Sequence, residues 1–193
     1  MNYYRAILRG VATALGIAAF LVSAPARAER LSAPLEAAIH LRVLGYDRAL
    51  KQRAGDSAVI ALLYDASSDS SVQAADALKD ALVSLSKKMK VQDLPIVIKS
   101  VAYKDAWPAG DLTKVAAVYV APGLESRLSD IKAQSAKHGV PTLCGDRDLA
   151  RQGIAIAAYV KGTSPGITIN LAAARGAGMD LDSRLLAIAE VLK

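Results

Sequence analysis

His40, His138 and Cys144 are the only histidines and the only cysteine in the chain, so any transition-metal or thiol chemistry must begin with them. They stand far apart, and no carboxylate–histidine spacing resembles a known ligand set, so no metal site is expected. A Cys144–His138 nucleophile pair would need a third group to orient the base and donors to hold an oxyanion, and neither is readable. His138 reads instead as a residue near a helix C-terminus, favoured by the helix dipole. Nucleotide chemistry has as little support. The segment DASSDSS, Asp65–Ser71, follows an apolar run but contains neither G-x-G-x-x-G nor a Walker lysine. A helix starting at Ser70-Ser71 could hold an anion on its free N–H groups, although Ser and Asp acting as plain caps is the simpler reading. No cofactor is implied.

These residues need elements to position them, and the chain after residue 28 supplies an alternating set. Pro34–Arg53 has apolar residues near helical spacing, weakened by Gly45 and stopped by Ala54-Gly55. Ser57–Tyr64 (SAVIALLY) is continuously apolar, as a strand buried on both faces should be. Val72, Ala75, Leu78, Leu82, Leu85 and Met89 stripe a helix whose last turns carry Lys87, Lys88 and Lys90. Strands are expected at Pro95–Val101, Val115–Val120 and Val140–Cys144. A helix striped by Leu124, Leu128 and Ile131 ends near His138-Gly139, and Asp146–Gln152 forms a short one. Cys144, at the end of a strand, is expected to be buried. Ile154–Val160 and Ile167–Leu171 then read as a β-hairpin with a long Gly/Ser/Pro turn. A closing helix, capped by Ser183, presents Leu185, Leu186, Ile188, Ala189 and Leu192.

Strands alternating with helices imply parallel pairing and right-handed crossovers. The expected fold is α/β: a three-layer Rossmann-like sheet, mostly parallel, with an antiparallel C-terminal hairpin. In such a sheet ligands and partners favour the loops beyond the carboxyl ends of the strands. Those loops offer Asp65, Ser67, Ser68 and Ser70, then Pro122 and Gly123, then Gly145, Asp146 and Arg147. Asp146 is read equally as a helix cap or as a directional contact.

Residues 1–28 read as a cleaved signal peptide. Arg5 and Arg9 precede the small and apolar run Val11–Val22, and Ala26-Arg27-Ala28 has the A-x-A form of a cleavage site. A single domain, 29–193, of 165 residues would remain, long enough for a core without disulfides. Loss of Arg5, Arg9 and Arg27, with no acid among residues 1–28, lowers the net charge from +6 to +3. The remaining bases are spread along the chain, so nucleic acid is not an expected partner; only Lys87, Lys88 and Lys90 cluster, as the end of a solvated helix would. The lone Cys144 excludes an intrachain disulfide. Homodimerisation is left open.

The C-terminal third carries a more specific pattern. PTLCGD leads to QGIAIAAYV and then to ITINLAAARGAGMDLDSRLLAIAEV, with IALLYD and YVAPG earlier in the chain. This resembles the YfiR-like family of bacterial periplasmic proteins. Ile169, Asn170, Gly178, Ser183, Leu185, Leu186 and Ala189 stand at the positions of its ending, while Met179 and Asp182 replace a Leu and a Ser. The resemblance implies a periplasmic, non-enzymatic regulator. It would bind the periplasmic part of an inner-membrane diguanylate cyclase, or another sensor protein, and lower cyclic-di-GMP signalling. Typical repressors of this kind carry several cysteines, which this chain lacks. The rival expectation, from the sheet and its loops, is a small-molecule receptor domain related to transport-system binding proteins. Asn170, in an apolar strand, is expected to tie the hairpin to the loop before the last helix, and Gly178 to take a positive φ.

Overall fold

β1, Ala58–Asp65, is an interior strand of the sheet, and its alternation divides the molecule. Ile60 and Leu62 point into one apolar core, and Ala61 and Leu63 into the other. The same alternation recurs in β3, Ala117–Val120, where Tyr119 joins the first core and Val118 and Val120 the second. A run buried on both faces needs no polar residues, which is why these strands read as unbroken apolar segments.

The computed structural model describes residues 30–193. The expected signal peptide therefore lies outside the described residues. The sheet has seven strands in the order β2-β1-β3-β4-β5-β6-β7, with β2 Ile96–Tyr103, β4 Thr142–Cys144, β5 Ile156–Lys161, β6 Ser164–Asn170 and β7 Glu190–Leu192. Pairing is parallel from β2 through β5, antiparallel for the β5–β6 hairpin, and parallel again between β6 and β7. One face is covered by α1 (Ala33–Gly45), α3 (Asp69–Ser86) and the C-terminal turns; the other by α4 (Leu128–His138) and α5 (Arg147–Arg151). The three-layer α/β arrangement is the one expected.

Four local readings change. The first helix breaks after Gly45 and resumes as α2, Leu50–Ala54, because Asp47 turns inward at the corner. Its fully buried carboxylate accepts from the N–H groups of Ala49 (3.1 Å) and Asp180 (2.9 Å) and from Arg53 Nη2 (2.6 Å). The hairpin turn is short rather than long: Lys161 pairs with Ser164, leaving only Gly162-Thr163 between the strands. The closing helix is a single turn, α7, Ser183–Leu186, capped by Asp182 rather than Ser183. Beyond it the chain joins the sheet as β7 and leaves Ile188 71% exposed. Lys87, Lys88 and Lys90 lie just past the end of α3 rather than within its last turns. Asn170 Oδ1 caps α6, Leu171–Gly176, and its Nδ2 donates to the Ala150 carbonyl, so it ties the hairpin to α5. Gly178 takes φ 77° as expected.

Candidate functional site

The strand order places the switch point of the sheet between β1 and β3, where successive connections leave in opposite directions. Open α/β sheets hold ligands in the crevice beyond the carboxyl ends of the strands at such a point. A hollow of about 360 Å³ lies there, lined among others by Asp65, Ser67, Tyr103, Lys104, Gly123 and Arg127.

Its floor is rigid because the loop after β1 bonds to itself. Asp65 Oδ1 accepts from the Ser67 N–H (2.9 Å) and hydroxyl (2.7 Å). The Ser67 hydroxyl, then its N–H, holds this carboxyl below the usual range. Ser68 caps α3 by accepting from the Ser71 N–H, and Ser68 Oγ and Ser70 Oγ lie 3.1 Å apart. The Asp65 N–H donates to the buried Ser71 hydroxyl. Pro122 and Gly123 bring the loop after β3 against this helix start. Gly123 has φ 93°, and a Cβ there would stand 3.4 Å from Ser68 Oγ. A larger residue would be strained and would crowd the cap.

The opposite wall comes from the end of β2 and the start of α4. Tyr103 donates to Asp130 Oδ2 at 2.6 Å, and burial, with Asp130 beside it, pushes the phenol up to about 12. The Arg127 guanidinium lies over the Tyr103 ring, 6.0 Å from its centroid. Lys104, Asp105, Arg127 and Asp65 thus give the hollow a mixed-charge rim. Such a rim suits recognition of polar or zwitterionic groups and of charged protein segments.

Gly145, Asp146 and Arg147 do not join that hollow; with Tyr159 and Arg30 they line a second one, of about 310 Å³, beyond β4 and β5. Asp146 Oδ1 caps α5 through the Asp148 N–H at 2.8 Å. Arg147 stacks 5.6 Å from the Tyr159 ring centroid and makes a two-pronged contact with Glu190, through Nε at 2.8 Å and Nη2. Glu190 also accepts from Tyr159 and Thr168. The Arg147 bonds first, and the Tyr159 and Thr168 hydroxyls after them, hold its carboxyl down to about 2.

A buried polar group under α1 was not foreseen. Glu36 Oε1 accepts from the Tyr119 hydroxyl at 2.8 Å, and His40 Nε2 lies 3.6 Å from the same oxygen. His40 is 2% exposed, and its ring stands edge-on to Tyr119. Glu36 and His40 are one helical turn apart on the stripe of Ala37, Leu41 and Leu44, and that spacing was the signal available. A Cβ on Gly145 would meet Glu36 Oε1 at 2.5 Å, so the glycine makes room for this acid. The cluster is sealed from solvent and cannot meet a substrate. Cys144 is equally buried; its thiol donates to the Asp146 carbonyl at 3.1 Å, and burial pushes its pKa far above the ordinary thiol value. His138 is exposed in the last turn of α4. Among the described residues no group of three or more His, Cys, Asp or Glu is gathered as a metal site.

Solved structures of other proteins share this fold. An ABC domain from Streptococcus pneumonia, solved in complex with L-Trp, aligns with a TM-score of 0.54 at 14% identity, over 78% of this chain and 62% of that one. A substrate binding protein with adhesive properties from Clostridium difficile, in a ligand-free, open form, aligns at 0.54 with 16% identity, over 75% and 57%. A conserved domain protein from Vibrio cholerae aligns at 0.58 with 14% identity, over 86% and 62%. The chain thus spans about 60% of the length of these structures, and at such identities the likeness is one of fold. No curated protein matches in sequence. The sequence profile of the YfiR/HmsC-like family matches residues 34–190, from the first turn of α1 to the start of β7. The chain belongs to the YfiR/HmsC-like family.

Proposed function

We propose that this protein is a periplasmic regulator, exported by removal of residues 1–28, whose domain 29–193 binds the periplasmic part of an inner-membrane diguanylate cyclase and holds it inactive. The observation that carries the reading is the family match, which runs through the whole folded unit, 34–190. Membership of this family supports a regulatory rather than a catalytic role. The site geometry agrees with binding: two shallow polar hollows at the carboxyl end of the sheet, with their charges fixed by neighbouring groups. Asp65, Ser67, Ser68, Ser70, Pro122 and Gly123, with Arg127, would form the first docking surface; Gly145, Asp146 and Arg147 the second. Among the described residues no helix is long and apolar enough to cross a membrane.

A small-molecule receptor is the second reading. It is favoured by the binding-protein neighbours and by the mixed-charge hollow at the switch point. Such receptors normally close two lobes around a cleft, whereas residues 30–193 form one sheet and one lobe.

Capture from solubilised membranes with tagged residues 29–193, followed by a cyclase assay on the recovered material, tests the proposal. Recovery of a membrane cyclase whose activity falls as more protein is added supports it. Recovery of transporter subunits, or of no partner while a small molecule raises the melting temperature, moves the assignment to the receptor.

A further inference from the structure

The fold sorts lysines to one end of the sheet. In a parallel sheet with helical crossovers, the amino ends of the strands and the carboxyl ends of the helices share one side of the molecule. Lys87, Lys88 and Lys90 follow α3 there, and Lys137 occupies the last turn of α4. Lys114 stands just before β3 and shares a hollow with His138 and Gly139 at the end of α4. All five lysines are exposed, and none is ion-paired among the described residues. The acids at this end are mostly paired: Asp47 with Arg53, Asp93 with Lys51, Asp111 with Lys99, and, beside Asp47, Asp180 with Arg48 and Asp182 with Arg184, whereas Asp56 is exposed and has no ion pair among the described residues. The opposite end mixes Asp65, Asp69, Asp105, Glu125, Asp146 and Asp148 with Lys104, Arg127 and Arg147.

We infer that this lysine end is a surface for an anionic phospholipid bilayer. The composition selects lipid over protein. Protein interfaces deplete lysine and anchor on Tyr, Trp and Arg, whereas hydrated, mobile ammonium groups suit the diffuse charge of headgroups. Met89, 37% exposed among Lys87, Lys88 and Lys90, adds a flexible apolar side chain at the same level. The patch is held in place by its neighbours. Val91 and Leu94 bond to each other in both directions, and Gln92 Nε2 donates to the carbonyls of Gly45 and Asp47. Docked by this end, the molecule would turn both hollows away from the membrane surface.

The test is cosedimentation of residues 29–193, which carry every element described above, with vesicles of phosphatidylcholine alone or with one-third phosphatidylglycerol. Each lysine near an anionic surface is expected to contribute about fivefold in affinity, so Lys87→Gln/Lys88→Gln/Lys90→Gln should weaken binding about 100-fold. Binding should also vanish between about 0.05 M and about 0.5 M salt. Lys161→Glu, at the far end of β5, should leave it unchanged, and the melting temperatures of all variants should match the parent. Equal binding to neutral vesicles, no binding to either, or equal losses from Lys161→Glu overturns the inference. So does loss of cyclase capture by the triple variant without any vesicle binding, which would assign the patch to a protein. Failure here leaves the cyclase reading intact, because the vesicles contain no cyclase.

Discussion

Asp47→Ala tests the corner on which the two ends of the chain meet. The carboxylate is fully buried and its partner Arg53 has only 13% of its side chain exposed. Truncation removes the acceptor for Arg53 and for the N–H groups of Ala49 and Asp180. Removing one partner of a buried ion pair costs about 3–5 kcal/mol, because the other charge stays buried. Arg53 keeps its bonds to the carbonyls of Ala116 and Gly178, which places the cost near the lower figure, about 3 kcal/mol. For a domain of this size that corresponds to a fall of about 6–12 °C in melting temperature. Asp47→Asn, which keeps an acceptor for the two N–H groups, should lose about half as much. The control is Asp180→Ala, which breaks an ion pair with Arg48 that is more than half exposed on both sides and is worth less than about 1 kcal/mol. Urea denaturation of the three variants and of Asp47→Ala/Arg53→Ala supplies the comparison. The double variant should be less destabilised than the sum of its singles, since the orphaned charge is gone. An Asp47→Ala cost no larger than that of Asp180→Ala would refute the reasoning.

Two further predictions concern Glu190 and Cys144. Glu190, whose carboxyl is lowered from 4.5 to about 2, stabilises the fold fully above the unfolded value, and that contribution is lost as pH falls through about 2. Urea midpoints taken down through this window should fall more steeply for the parent than for Glu190→Gln; parallel profiles would contradict the assignment. Cys144, buried and with its pKa raised, should not react with a thiol reagent in the native protein and should do so only at the rate of unfolding. Native labelling at the rate of an exposed thiol would show that the strand end opens.

The parts of the fold legible in the sequence were those decided locally. The strand at Ala58–Asp65 is buried on both faces and its apolar run says so; α3 shows its stripe, although Lys87, Lys88 and Lys90 fall just beyond its last turn. The misread segments were decided by partners far along the chain. The first helix breaks because Asp47 finds the N–H of Asp180, 133 residues away. Leu185 and Leu186 promised a longer helix, but Glu190 is drawn to Arg147, Tyr159 and Thr168, and strand pairing with β6 takes the last residues. The candidate loops could be named from the rule that ligands sit beyond strand carboxyl ends. Their division into two hollows depends on strand order, and Tyr103, Lys104 and Arg127 arrive from neighbouring crossovers that no local motif marks.

The central claim is repression of a membrane cyclase by direct binding, and cyclic-di-GMP output tests it most directly. Membranes carrying the cyclase would be assayed with increasing amounts of residues 29–193. A saturable fall in cyclic-di-GMP synthesis, weakened by Arg127→Glu at the rim of the first hollow, is the predicted result. Synthesis that stays constant across the titration would contradict the account.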